Sequence, residues 1–156
     1  MFICDSQVHI WAEETRDRPW TPGGQELVRD MGHRPKPIGY EELKELMDEA
    51  GVDRALIVPP TWDMDRNDLG LEAATKYPDR FGLIFRVPLL DPKNGELLLR
   101  NLIDNPAAKG VRLTFFRKEE ANWLFDGTAD WYWPCLLYTS PSPRDQRGSG
   151  FGGYGW

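Results

Sequence analysis

The sequence predicts an α/β fold built on a parallel sheet, and three observations predict it. Short apolar runs alternate with amphipathic stretches in the order β-α-β-α-β-α-β-α. The runs are continuously apolar, as strands covered on both faces require. Polar residues gather where the runs end: Gln7 and His9, then Thr61, Trp62 and Asp63, then Arg86, then Arg112 and Thr114. Such a sheet is either doubly wound or a (β/α)8 barrel of the TIM type. The first βα turn carries neither GxGxxG nor GxxxxGK(S/T), so a nucleotide site on a doubly wound sheet has no support. Barrel active sites sit at the C-terminal strand ends, where these polar residues fall. The expectation is a parallel (β/α)8 barrel truncated to roughly its first four βα units.

Each element has its own signal. Phe2–Ile10 (FICDSQVHI) reads as the first strand. A long loop follows, broken by Pro19, Pro22, Gly23, Gly24, Pro35 and Pro37. Tyr40–Ala50 is a helix, because Leu43, Leu46, Met47 and Ala50 recur at i, i+3, i+4 and i+7, and Gly51 stops it. Asp53–Pro60 (DRALIVPP) is a buried strand, and Asn67–Lys76 a helix that Asp65 or Asn67 can cap. Phe81–Leu89 is the third strand. Asp91-Pro92 supplies an N-cap and a first-turn proline for a helix reaching Ile103, with Leu98, Leu99, Leu102 and Ile103 inward. Gly110–Phe116 is the fourth strand, and Thr128 caps a last helix that opens ADWYWP.

Composition narrows the partners. The 156 residues suit one ordinary domain, and 40% hydrophobic content supports a core. A net charge of −6 argues against a nucleic-acid partner. No apolar run is long enough to span a bilayer, so no membrane partner is expected. MFICDSQ lacks a signal-peptide pattern, and Cys4 and Cys135 read as free thiols of a cytoplasmic protein.

The chain changes character at Pro134. CLLYTSPSPRDQRGSGFGGYGW has no secondary-structure period and is rich in Ser, Pro and Gly. Cys135–Asp145 resembles one translated frame of the transposase mosaic-end adapter used to build sequencing libraries. Residues 1–134 are therefore expected to be the genuine part, and 135–156 a non-native, disordered tail. A Gly-aromatic RNA-binding tail is the functional alternative for GSGFGGYGW.

Residues two apart on a strand share a face, so Asp5, Gln7 and His9 are expected to point the same way. Polar groups on a buried strand must be satisfied, either in an internal network or at a cavity. His9 is thus either a hydrogen-bonded strand-end residue with Gln7 and Asp5 as its network, or part of a site.

Four pieces in order carry a family resemblance: FICDSQVHIW, EAGVDRALIVPPTWDMDRND, YPDRFGLIFRVPLLDP and KGVRLTFF, followed by TADWYWP. Residues 2–134 resemble the N-terminal half of the amidohydrolase-related family, which includes lactonases and aromatic-acid decarboxylases. The resemblance implies a (β/α)8 barrel. It also implies two strand 1 metal-binding histidines, at the positions of Gln7 and His9, joined by ligands and a catalytic Asp from strands 5 to 8. Only His9 matches. Zinc prefers nitrogen and sulfur over an amide oxygen, so Gln7 breaks the pattern. A divalent metal (zinc or manganese) and no metal at all both stay open.

Arg86 and Arg112 end strands 3 and 4, where a guanidinium could hold a substrate carboxylate; a rim salt bridge is the alternative for each. Trp11 and Trp62 follow strand ends and either wall a substrate pocket or pack a loop. His33, in a Pro-rich loop, reads as solvated, and Asp63, Asp65 and Asp68 as helix-capping carboxylates. The resulting expectation is a hydrolase acting, in a full-length parent, on a lactone or other carboxylic ester or amide of a small carboxylated substrate. His9 and Gln7 would polarise the carbonyl or orient water, and Arg112, Arg86, Trp11 and Trp62 would hold the substrate. A metal-dependent decarboxylase and a non-enzymatic, inactive fragment are the alternatives. A homo-oligomeric parent is compatible with this reading.

Overall fold

The computed structural model describes residues 1–32, 34–102, 104–115 and 117–139. The predicted positions His33, Ile103 and Phe116, and residues 140–156 of the expected tail, lie outside them. The described residues form two compact units, one drawn from 1–87 and 105–114, the other from 88–104 and 115–139.

The first unit holds a four-stranded parallel sheet in the order β1-β2-β3-β4, formed by Cys4–Val8, Arg54–Ile57, Phe81–Arg86 and Ala108–Arg112. Three helices of this unit are α1 (Gly24–Met31), α2 (Tyr40–Ala50) and α3 (Asp68–Lys76). The parallel, sequential order is the one the strand–helix alternation predicts. One sheet face is apolar and closed: Ala55, Ile57, Phe81, Leu83 and Phe85 are buried, as are Ala73 and Ala74 of α3. Gly70 lets α3 approach, since a Cβ there would overlap Leu83 Cδ1 and stand 3.2 Å from Ile57 Cγ2. The other face carries Leu56, Gly82 and Ile84, and a Cβ on Gly110 would lie 3.2 Å from Ile84 Cδ1.

α2 keeps the predicted bounds, and Gly51 ends it in the left-handed region at φ 71°. Its inward face is narrower than the spacing suggested, because Met47 is buried whereas Leu46 and Ala50 are exposed. The strands are shorter than their apolar runs, with the ladder ending at Val8, Ile57, Arg86 and Arg112. The fourth strand starts earlier than expected, at Ala108. α1 falls inside the stretch read as loop. Gly23 does break the chain, at φ 75°, but as the residue from which α1 starts.

In the second unit α4 (Pro92–Leu102) follows Asp91, whose Oδ1 accepts from Asn94 N–H at 3.2 Å, as the cap reading requires. Leu99, Leu102, Ala129 and Tyr132 are buried, and Trp131 Nε1 donates to Leu89 O at 3.0 Å. α5 (Tyr132–Thr139) starts later than Thr128, which accordingly caps nothing there. Among the described residues no helix is long and apolar enough to cross a membrane.

Candidate active site

The site is built at the C-terminal strand ends of the first unit. β1 does not run as a regular strand. Asp5 pairs with Ala55 and Val8 with Ile57, so one extra residue is accommodated between them. Ala55 and Ile57 share a face of β2, hence Asp5 and Val8 share one on β1. The expected common face of Asp5, Gln7 and His9 is therefore broken by this bulge. Asp5 Oδ1 instead accepts from the Gln7 backbone N–H at 3.0 Å, and Gln7 itself is exposed.

His9 sits just past β1, half-buried, with Nδ1 2.6 Å from Val58 O. A carbonyl only accepts, so this bond places a proton on Nδ1. The Trp62 ring meets the imidazole edge-on, with centroids 6.3 Å apart, and Trp11 meets Trp62 at 5.4 Å. Both indoles are 4% exposed and share a core with Val28 and Ile38. Loop packing thus describes their bodies. Trp62 is also a wall of His9.

Arg86 and Arg112 are paired in register on adjacent parallel strands, so their side chains leave the same face. Nη1 of each is buried without a hydrogen-bond partner among the described residues. Burial, and then the Arg86 charge, push the Arg112 guanidinium below its ordinary range. Arg86 is the more deeply placed. Asn67 grips its backbone from both sides, accepting from Arg86 N–H at 2.8 Å and donating to Arg86 O at 2.9 Å. Asp65 Oδ1 lies 3.4 Å from Arg86 Nε. The rim salt bridge considered for Arg86 thus exists, yet it leaves Nη1 unmet. Two neighbouring cations with unmet donors form a place for an anion.

Of the three aspartates read as helix caps, Asp63 and Asp65 face arginines, and Asp68 accepts from backbone N–H groups at the start of α3 as well as from Arg18. Asn67, at the α3 N-cap, makes no side-chain capping bond. Asp63 is buried and takes two bonds from Arg18, from Nε at 3.1 Å and Nη2 at 2.6 Å, while Asp68 takes two more from the same guanidinium. Sequence reasoning missed Arg18 and took Asn67 only as a helix cap; the one trace was DMDRND, which holds Asn67 and the two carboxylates Arg18 binds. Met64, between Asp63 and Asp65, is held at φ 60°, an unfavourable backbone for an L side chain.

No three His, Cys, Asp or Glu side chains come together as a metal ligand set among the described residues. His9 offers one imidazole and Gln7 an amide oxygen, at most two ligands of the larger set a divalent metal takes.

A family model described as Amidohydrolase matches residues 4–137. No curated protein matches the chain. Among solved structures, a probable 2-pyrone-4,6-dicarboxylic acid hydrolase from Acinetobacter baumannii, with citric acid bound, is similar at TM-score 0.59 and 18% identity over 88% of this chain and 46% of its own. A 5-carboxyvanillate decarboxylase from Novosphingobium aromaticivorans, complexed with manganese and 4-hydroxy-3-methoxy-5-nitrobenzoic acid, is similar at 0.62 and 17% over 88% and 48%. A 2,6-dihydroxybenzoate decarboxylase from Rhizobium gives 0.58 and 20% over 94% and 52%. At these identities the likeness shows the fold alone, and the chain spans about half the length of these structures.

Proposed function

This chain belongs to the amidohydrolase family, and we propose that its strand ends bind the carboxylate of a small ring substrate and present that substrate's carbonyl for hydrolysis. The observation that carries the reading is the Arg86–Arg112 pair, in register and with Nη1 of each buried and unmet. A carboxylate bridging the two guanidiniums would satisfy both and offset their mutual repulsion. His9, its Nδ1 held by Val58 O, and the exposed Gln7, whose amide can donate to a carbonyl oxygen, would polarise the carbonyl or orient water. Water adding to the carbonyl carbon then cleaves a lactone, ester or amide. The residue that removes the water's proton would lie in the parent beyond this chain, as would the ligands of any metal. Gln7 and His9 by themselves do not make a site for a divalent metal. The substrate class follows from the cations and agrees with the carboxylated ring compounds named for the similar structures. A cytoplasmic enzyme remains part of the same proposal.

Decarboxylation is a second reading with as much support from the similar folds, most of which are decarboxylases. The readings part at the product: hydrolysis opens a lactone and keeps its carboxylates, decarboxylation releases carbon dioxide. Titrating the chain with 2-pyrone-4,6-dicarboxylate and with 2,6-dihydroxybenzoate tests the shared binding step. Saturable binding that falls about tenfold or more in Arg112→Met is expected, the size of one lost charged hydrogen bond. Equal affinity in the variant would remove the carboxylate anchor from both readings.

A further inference from the structure

We infer that Arg18 is a positioning residue for His9, acting through Asp63 and Trp62. This rests on the reading of His9 as the group that handles water or the carbonyl. Arg18 lies in the loop after β1, far in sequence from the carboxylates it binds. Its guanidinium makes four bonds to them. Nε donates to Asp63 Oδ1 at 3.1 Å, Nη2 to Asp63 Oδ2 at 2.6 Å and to Asp68 Oδ1 at 3.0 Å, and Nη1 to Asp68 Oδ2 at 2.7 Å. Two carboxylates are thus held by one planar fork, a geometry a lysine cannot copy.

The fork joins the loop after β1 to the loop after β2, and further bonds run beside it. Thr21 N–H donates to Trp62 O at 2.9 Å, and Arg66 Nη1 donates to Pro19 O at 2.8 Å while also reaching Asp63. Gly24 sits where a Cβ would come within 3.5 Å of Trp62 Cβ. Residues 18–24, together with Asp63, thus brace Trp62 from outside its own strand end. Trp62 in turn stands edge-on against the His9 ring, whose Nδ1 is set by Val58 O. A hydrogen bond and an aromatic wall orient the ring, and Arg18, through Asp63 beside Trp62, helps hold the wall that the Trp11, Val28 and Ile38 core also packs. Its placement is economical physically, since the buried Asp63 carboxylate needs a fixed cation in any case.

The chain has two histidines, His9 and His33, so nitrogen-15 imidazole spectra of the whole chain are simple to assign, with His33→Asn identifying the second. Wild-type His9 is expected in a single neutral tautomer, protonated at Nδ1. Arg18→Met is expected to lose that single-tautomer signature and average the two nitrogens. Arg18→Lys, which keeps the charge but not the fork, should restore only part of it. If Arg18→Met does not melt cooperatively, the double variant Arg18→Gln with Asp63→Asn removes the buried charge and is read the same way. An unchanged His9 signature in either folded variant overturns the inference while leaving the role of His9 untouched. Mixed tautomers already in the wild type would instead overturn the reading of His9 itself.

Discussion

A buried guanidinium nitrogen without a partner costs the folded chain until an anion meets it, on the order of 1–3 kcal/mol for an unmet polar group. Arg112 carries that cost beside a second cation, and both causes push its guanidinium below the ordinary range. Arg112→Met should therefore stabilise the ligand-free chain by about 1 kcal/mol and raise its melting temperature, a flexible apolar chain replacing an unmet cation. The same variant should lose the melting-temperature rise that 2-pyrone-4,6-dicarboxylate gives the wild type. Differential scanning calorimetry reads both, and a destabilised variant would show Arg112 to be an already satisfied rim residue. The two arginines were legible as residues at strand ends. The Asn67 grip on the Arg86 backbone was not, because it joins positions 19 apart through a pairing only the folded sheet creates. His9 was legible too, but its tautomer rests on Val58 O, 49 residues away.

Among the elements, α3 shows two physical demands that compete at single positions. Gly70 weakens the helix by about 1 kcal/mol relative to Ala, yet a methyl there would collide with Leu83, which is fully buried. Gly70→Ala should destabilise the chain by about 1–2 kcal/mol in urea unfolding, overpacking winning over propensity. A gain in stability would mean the Leu83 side chain yields freely. At the start of α3, hydrogen bonds from Arg18 hold the Asp68 carboxyl below the usual carboxylate range. A carboxyl whose folded pKa is depressed adds stability above the unfolded value and loses it as pH falls through the folded one. The acid limb of the stability curve should therefore begin at about pH 4, the ordinary aspartate value, and steepen below it. Asp68→Asn should flatten that limb while leaving stability near neutral pH lower. Helices with a clear period, α2 above all, were readable in their bounds, while the inward face of α2 proved narrower than its period. α1 was hidden by its Pro-Gly-Gly approach, although Leu27, Val28 and Met31 carry a helical spacing. The β1 bulge was invisible, because alternation along a strand says nothing of an extra residue in its ladder.

At the scale of the whole molecule, the parallel order β1-β2-β3-β4 leaves β1 and β4 each with one strand neighbour among the described residues. An unpaired strand presents free N–H and C=O groups, and natural sheets blunt or cover such edges. β1 is exposed from Cys4 to Gln7, and Phe2 beside it is 64% exposed. The chain spans about half of the similar solved structures, and strand–helix alternation told the fold class without telling what pairs with these edges. Composition could not say so either, since 40% hydrophobic content fits an open sheet as well as a closed one. We expect the 156 residues expressed alone to associate at micromolar concentration and to turn over neither a lactone nor a hydroxybenzoate. Association buries the edges and the apolar surface beside them, whereas turnover on the proposed reading would need a proton acceptor from the rest of the parent. Light scattering coupled to size exclusion separates the cases. Oligomers or larger species that dissociate when β1 is blunted by Ser6→Pro would place the contact at that edge. A monodisperse monomer with one cooperative melt would show that the edges are already protected within the chain.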